Sequence, residues 1–434
     1  MIDKNSAVRG LMEFLDKSPV NFFAVKTVCE ALDREGFTQL DPAAKWCLSP
    51  GGRYYVTKNG SAVFAFVVGS GAPSEGFHII AAHSDSPTMR VKPNAPMPTD
   101  GGVVKLNVEV YGGPILSTWM DRPLSLAGRV ALRSDNPLVP RMKLVKWERP
   151  LLTIPNLAIH FNRQVNDGVR LSAQKDMLPV LGIVGEKGEA HEKFVGMIAE
   201  AAEASPEDIL DFDLSLYDTT PACLVGMEDE FVTSGRLDDL SMVHAALTAL
   251  TGTASTDVSR TRVMAIFDNE ETGSGTKQGA ASPVLRSLLE RVVAAQGGDH
   301  EDYLRAVEGS FMVSADNAHA YHPNYGEKYD PTNHPVPGGG PVIKINARCK
   351  YMTDADSAAV FRSICEQAGV PCQYFVNHSD VAGGSTLGNI LTSQIPLRGV
   401  DMGEAIWAMH SARETASAID HLYTIKAFIR FFEI

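Results

Sequence analysis

Several apolar stretches of this chain stop abruptly at groups that could bind a metal or carry a proton. Residues 77–82 run into His83-Ser84-Asp85, and 262–267 into Asp268-Asn269-Glu270-Glu271-Thr272-Gly273. Residues 311–314 are followed by Asp316, His319 and His322, and 397–400 lie shortly before Met409-His410-Ser411. Asp238-Asp239 precede another apolar stretch that opens at Leu240. Taken singly, each has an ordinary explanation. A lone His after a strand is usually a loop hydrogen-bonder, adjacent glutamates are usually solvated, and Asp238-Asp239 could cap a helix starting at Leu240. Their co-occurrence is the signal. Histidines and carboxylates without paired cysteines form a ligand set that suits zinc, manganese or cobalt in a hydrolytic site.

These groups share one rim only if the apolar stretches are strands of a single open α/β sheet, whose sites lie at the carboxyl ends of strands. The pattern after Ser234 fits. Residues 240–250, 283–295, 355–368, 386–392 and 411–432 read as helices, and 262–267, 311–314, 342–346, 373–376 and 397–400 as strands. Near the start, Val8, Leu11, Met12 and Leu15, then Val25, Val28, Cys29 and Leu32, fall at helical spacing, and strands follow at 62–68 and 77–82. Between about 87 and 230 the texture is β-rich. Val104, Leu106, Val108 and Val110 alternate strictly before Gly112-Gly113-Pro114, strand-like pieces recur at 129–132 and 157–161, and helix is scarce until 192–204. The expected fold is α/β: a mostly parallel sheet sandwiched by helices, built from 1–86 and 231–434, with a β-rich domain inserted at 87–230.

A chain of 434 residues exceeds what one core usually serves, which also favours two domains. The formal net charge of −13 argues against nucleic acid or an anionic membrane as partner, since both need a basic face. It says nothing about the charge of a substrate, which local groups decide. The opening MIDKNSAVRGLMEFL lacks a basic region followed by a long apolar one, and no run approaches ~18 apolar residues. A cytoplasmic location is the expectation. The six cysteines are scattered without a CxxC pair and read as reduced thiols.

The runs AAHSDSP, SGRLDDL, DNEETGS, SADNAHAYHPNY, GGPVIKIN and AMHSARE resemble, in order, the signature runs of the M18 aspartyl aminopeptidase family, and IPNLAIHFNR extends the likeness into the inserted domain. The resemblance implies a metalloaminopeptidase that releases a single N-terminal residue, preferentially Asp or Glu, from short peptides. It makes Asp238 the carboxylate bridging two divalent metals, zinc foremost and manganese or cobalt as alternatives. His83 and Asp316 would complete one metal, and Glu271 and His410 the other. Glu270 would be the general base, and Asp85 would accept the second N–H of the His83 ring. Lys344, Tyr351 and His319 would contact the substrate, joined by His160 from a neighbouring subunit, in a tetrahedral dodecamer built from dimers through the inserted domain. Lys344 lies in the otherwise apolar stretch 341–345, so a buried ammonium there would want an anionic partner; the ordinary alternative is an edge-strand lysine in solvent.

Two positions depart from the family's pattern. Asp239 stands where Asn is common after the bridging Asp, and Gly383 where the glycine loop often carries Cys. Asp239 reads as a cap for the Leu240 helix. Gly383-Gly384-Ser385-Thr386 opens a helix without P-loop spacing and, like the similar family loop, shapes the substrate rim. His322 reads as a structural hydrogen-bonder, and His78, His244 and His421 as helix or strand residues. Two rivals remain. One is a metal-dependent deacylase or carboxypeptidase of related fold, for which Arg163 could bind a substrate carboxylate. The other is a non-catalytic assembly or cargo-binding protein on a peptidase scaffold, against which the intact ligand set and Glu270 argue.

Overall fold

The computed structural model describes residues 2–186 and 188–434. It divides into two compact units, one comprising residues 1–85, 222–409 and 414–434, the other 86–221 and 410–413.

A nine-stranded sheet organises the first unit, in the order Thr38–Gln39, Arg53–Lys58, Ala62–Val67, Thr261–Phe267, Phe77–His83, Phe311–Ala315, Arg398–Gly403, Val342–Ile345, Gln373–Val376. The three strands at its centre, Thr261–Phe267, Phe77–His83 and Phe311–Ala315, run parallel. Each is buried along its whole length. That is why they read as unbroken apolar runs: both faces are covered. Alternate residues serve two different cores. Ile80, Ala82, Met264 and Val313 face one containing the helices Lys4–Lys17, Leu237–Thr253 and Ala418–Glu433. Ile79, Ala81, Val263 and Met312 face another containing Val284–Ala295 and His300–Glu308. The sheet is mostly parallel, as expected, with five of its eight ladders parallel. Antiparallel ladders join Arg53–Lys58 to Ala62–Val67, Ala62–Val67 to Thr261–Phe267, and Val342–Ile345 to Arg398–Gly403.

A second, five-stranded sheet in this unit has the order Cys223–Val225, Phe231–Ser234, Glu414–Ser417, Ala405–Trp407, Ala318–His319. It explains two differences from the sequence reading. The boundary expected at 230/231 falls instead at 221/222, because Cys223–Val225 is held by its ladder to Phe231–Ser234. The final helix expected from 411 begins at Ala418, because Glu414–Ser417 pairs as a strand with Phe231–Ser234. The helix His300–Glu308 was not anticipated, although Asp299 and Asp302 form a reciprocal capping box at its start.

The second unit is a six-stranded sheet, antiparallel throughout, in the order Arg141–Lys146, Leu124–Leu132, Ile209–Asp218, Thr88–Pro98, Val103–Tyr111, Val180–Ile183. Leu106 and Val108 share a core with Phe194, Ile198 and Ala202 of the helix Glu189–Ala202. The alternating face is thus covered within the unit. Residues 157–161, expected to be strand-like, form no strand. Leu157, Ile159 and Phe161 are exposed there instead, so their alternation marks no buried sheet face. No helix among the described residues is long and apolar enough to cross a membrane.

Candidate metal centre

His83 closes the central strand Phe77–His83 and is 1% exposed. Its backbone N–H donates to Asp239 Oδ2 at 3.1 Å. On the ring, Nδ1 lies 3.0 Å from the Asp85 carbonyl oxygen and 3.4 Å from Asp85 Oδ1, while Nε2 faces Asp238 Oδ1 at 3.5 Å. Both acceptors of Asp85 sit on the Nδ1 side, so Nδ1 donates toward them and Nε2 points at Asp238. The Asp85 carboxylate has a second task. Its Oδ1 and Oδ2 accept the backbone N–H groups of Glu270 and Glu271, each at 3.2 Å. One buried carboxylate thereby fixes a histidine from one strand end and two glutamates from the next.

Glu270–Thr272 is a single tight turn entered through Asn269 in the left-handed region, at φ 63°. The Asn269 side chain pins that turn by accepting from Thr276 Oγ1 at 2.8 Å and Gln278 Nε2 at 2.7 Å. Asp238 sits at the irregular start of Leu237–Thr253, where Asp238 and Asp239 lack helical backbone angles. Its backbone N–H donates to Glu414 Oε2 at 3.0 Å. Asp316 follows Phe311–Ala315 and hydrogen-bonds through its N–H to the Met402 carbonyl at 2.9 Å. The ligand atoms of His83, Asp238 and Asp316, and those of His83, Glu270 and Glu271, lie within 4.8 Å of one another. The sheet therefore brings six of the expected residues together: His83, Asp85, Asp238, Glu270, Glu271 and Asp316.

Electrostatics say what this cluster lacks. Burial pushes the Glu270 carboxyl up to about 8, with Asp316, Asp85 and Asp238 adding to the rise and His83 opposing it. Burial also raises Glu271, reinforced by Asp238, and Asp239, reinforced by Asp316 and Asp238. Burial works against a charged His83 ring, yet Asp239, Asp238 and Asp85 hold it well above its ordinary value. So many buried carboxylates around one imidazole want positive charge. Asp239 is fully buried, and its Oδ1 has no hydrogen-bond partner among the described residues. The donor set is oxygen and imidazole nitrogen with no thiolate, which fits zinc or a similar divalent ion. Asp239 does not cap the Leu240 helix as expected. Its side chain turns to the His83 backbone, and the Leu240 N–H is taken by the Arg236 carbonyl at 3.2 Å.

Lys344 is 3% exposed, and its strand has neighbours on both sides, which excludes the solvent-facing alternative. Its ammonium donates to the Asn317 carbonyl at 3.0 Å and pairs with Asp316 Oδ1 at 3.2 Å. The anionic partner is thus already present, and it is an expected metal ligand. Tyr351 lies under the same ammonium, 5.5 Å from its ring centre, and belongs to one apolar cluster with Phe375 and Ala318. The exposed His319 ring meets Phe375 edge-on at 5.7 Å. Phe375 was not singled out from sequence and joins the three expected contacts into one wall.

His160 and Arg163 are exposed in the second unit, in a stretch without strand structure. His410 packs with that unit, its Nδ1 3.1 Å from the Gly113 carbonyl. Gly383 lies in a loop whose Thr386 hydroxyl donates to Asp401 at 2.6 Å. His322 Nδ1 accepts the Asn324 N–H at 3.2 Å, a structural role. His421, by contrast, is fully buried between partners invisible in sequence: Glu404 Oε1 at 2.9 Å and His244 Nδ1 at 2.8 Å.

Residues 14–432 match the family described as Aminopeptidase I zinc metalloprotease (M18). A probable M18 family aminopeptidase 2 of Clostridium novyi (strain NT) is 49% identical over 436 residues, covering 100% of both chains. A chain in the cryo-EM structure of the Ape4 and Nbr1 complex aligns with a TM-score of 0.95 at 35% identity, covering 99% of this chain and 86% of that one. The S. cerevesiae mApe1 dodecamer gives a TM-score of 0.85 at 26% identity, covering 99% of this chain and 97% of that one. With the buried His and carboxylate cluster at its strand ends, the chain belongs to the M18 family of zinc metalloaminopeptidases.

Proposed function

We propose that this aminopeptidase uses two divalent ions, zinc foremost, to remove a single N-terminal residue from short peptides, with preference for Asp or Glu. Following the family's pattern, His83 and Asp316 would hold one ion and Glu271 and His410 the other, with Asp238 a ligand shared between them. When bound, the ions polarise the scissile carbonyl and acidify the attacking water. Glu270 accepts that water's proton and returns it to the leaving amine. It is suited to this because Asp85 holds its backbone in place beside the expected ligand Glu271. Asp85 keeps Nε2 of His83 free for its ion. The observation that carries the reading is the single carboxylate of Asp85, which faces His83 Nδ1 at 3.4 Å while accepting the backbone N–H groups of Glu270 and Glu271.

The acidic preference rests on Lys344. An ammonium has three donors; Asn317 and Asp316 take two, and the third serves a substrate side-chain carboxylate beside Tyr351. His319 completes the pocket wall, and His160 reaches a neighbouring subunit's substrate in an assembly of the inserted domains, a tetrahedral dodecamer as the family resemblance implies. The deciding experiment compares rates on N-terminal Asp, Glu, Leu and Lys substrates with zinc, manganese or cobalt added back to the chelated protein. Turnover of N-acylated substrates alone would replace this reading with the deacylase one, and a stable, active monomer in sedimentation would remove the oligomer.

A further inference from the structure

We infer that Asn317 is a positioning residue that sets the spacing of the bridging carboxylate Asp238 and the terminal ligand Asp316. The inference rests on the metal-dependent reading proposed above. Asn317 lies between Asp316 and Ala318 and is 2% exposed. Its side chain crosses to the element that carries Asp238. Nδ2 donates to the Leu237 carbonyl at 2.8 Å and to Ser241 Oγ at 2.9 Å. Leu237 is the residue immediately before Asp238. One amide therefore ties the chain just after one ligand to the chain just before another. The two elements are far apart in sequence, so no local constraint could do this.

Both side-chain polar atoms of Asn317 and its carbonyl are spent inside the fold. Oδ1 accepts the Glu404 N–H at 3.3 Å, and the backbone carbonyl accepts the Lys344 ammonium at 3.0 Å. An amide so used has nothing left to give a metal or a substrate, although it stands among residues that do both. The anchor beneath it is stiff. The Glu404 side chain is held by the buried His421 and, through it, by His244. Next to Glu404, a Cβ on Gly403 would lie 2.0 Å from the Asp316 carbonyl oxygen, so the backbone around Asp316 has no room to drift. Asn317 is thereby the shared joint of Asp238, Asp316 and Lys344, linking metal spacing to the side-chain pocket.

The test measures zinc affinity by competition with a chromophoric chelator, and the rise in Tm when zinc is added to the chelated full-length protein. It uses wild type, Asn317→Ala and Ser241→Ala. A purely structural role would lower the Tm of chelated and loaded protein alike and leave the zinc-induced rise unchanged, because that rise depends only on affinity. Positioning predicts weaker zinc binding in Asn317→Ala by on the order of 10–100-fold, the usual consequence of losing a group that orients a ligand, and a smaller zinc-induced rise in Tm. Ser241→Ala removes one partner of the amide without touching Asn317, so it should weaken zinc in the same direction by less. Unchanged affinity in Asn317→Ala overturns the inference. If that variant does not fold, unchanged affinity in Ser241→Ala overturns it instead. A wild type that neither takes up zinc nor gains Tm would sink the metal-dependent reading itself, a separate result.

Discussion

Lys344→Met separates two roles that the structure has folded into one ammonium. The lysine is buried, 3.2 Å from Asp316 Oδ1, with side-chain exposures of 3% and 11% for the pair. Methionine keeps the length and apolar stem but removes the charge. Leaving a buried carboxylate without its partner costs about 3–5 kcal/mol, which for units of this size corresponds to a Tm lower by about 6–20 °C. That loss should appear in the chelated protein. With zinc on Asp316 a cation again faces the carboxylate, so the loss in the loaded protein should be well under half as large. The kinetic effect is distinct. A hydrogen bond to a charged group contributes about 1.5–3 kcal/mol, so kcat/KM on an N-terminal Asp or Glu substrate should fall on the order of 10–100-fold. An N-terminal Leu substrate, measured at saturating zinc, should change by less than about threefold. Equal losses on acidic and neutral substrates would refute the specificity role and leave Lys344 only as the counter-ion of Asp316.

Glu270→Gln should retain bound zinc while turnover falls by about 10²–10⁴-fold; loss of metal instead would show that base and ligand have been exchanged. Asp85→Asn removes an acceptor from His83 and one of the two carboxylate oxygens holding Glu270 and Glu271, so zinc affinity measured by chelator competition should fall about 10–100-fold. Gly403→Ala would press a Cβ to 2.0 Å from the Asp316 carbonyl oxygen, so its cost should reach or exceed the ~3 kcal/mol upper range for overpacking; a wild-type Tm would contradict the packing at that strand. In the chelated protein, pH acts through Glu270, whose folded value of about 8 stands above its ordinary 4.5. The folded chain then holds the extra proton between those values, so stability should fall as pH rises across that window; a Tm that climbs from pH 5 to pH 8 would be inconsistent.

What was legible in the sequence was whatever periodicity or abrupt chemistry reports locally. The strand Phe77–His83 showed itself because both of its faces are buried, and its end showed itself because His83 and Asp85 break the apolar run. Helix Ala355–Ala368 was equally plain, with Asp354 capping it and Gly369 ending it in the left-handed region. Short strands that exist only through their partners were not. Glu414–Ser417 has four residues and no distinctive alternation, and only the ladder to Phe231–Ser234 makes it a strand rather than helix. Residues 157–161 erred in the other direction. Their apolar residues alternate, yet no ladder forms and they stay exposed, so alternation alone did not define a buried face. The site divides similarly. The ligand-type residues stand out by chemistry and by family resemblance, whereas Asn317 reaches Leu237 across 80 residues of chain, Glu404 reaches Asn317 across 87 and His421 reaches His244 across 177, and none carries a local sign.

Lys344 and Asp239 each have a partner in the fold that the sequence around them does not show. The helix start expected for the aspartate is not that partner, and for the lysine a protein carboxylate is present besides any substrate. In the fold each faces an expected metal ligand, Lys344 through Asp316 and Asp239 through the His83 backbone. Around these ligands the sheet has placed one buried cation and an excess of buried anions. Because the lysine offsets only part of that excess, the remainder is a standing demand for positive charge that ions can meet. Ion binding and the substrate pocket are then coupled through Lys344, since any cation on Asp316 releases part of the hold that Asp316 has on the ammonium. Affinity for an acidic over a neutral amino acid in the pocket should accordingly rise on zinc loading, and a ratio of aspartate to leucine binding constants that is the same in chelated and loaded protein would break that link.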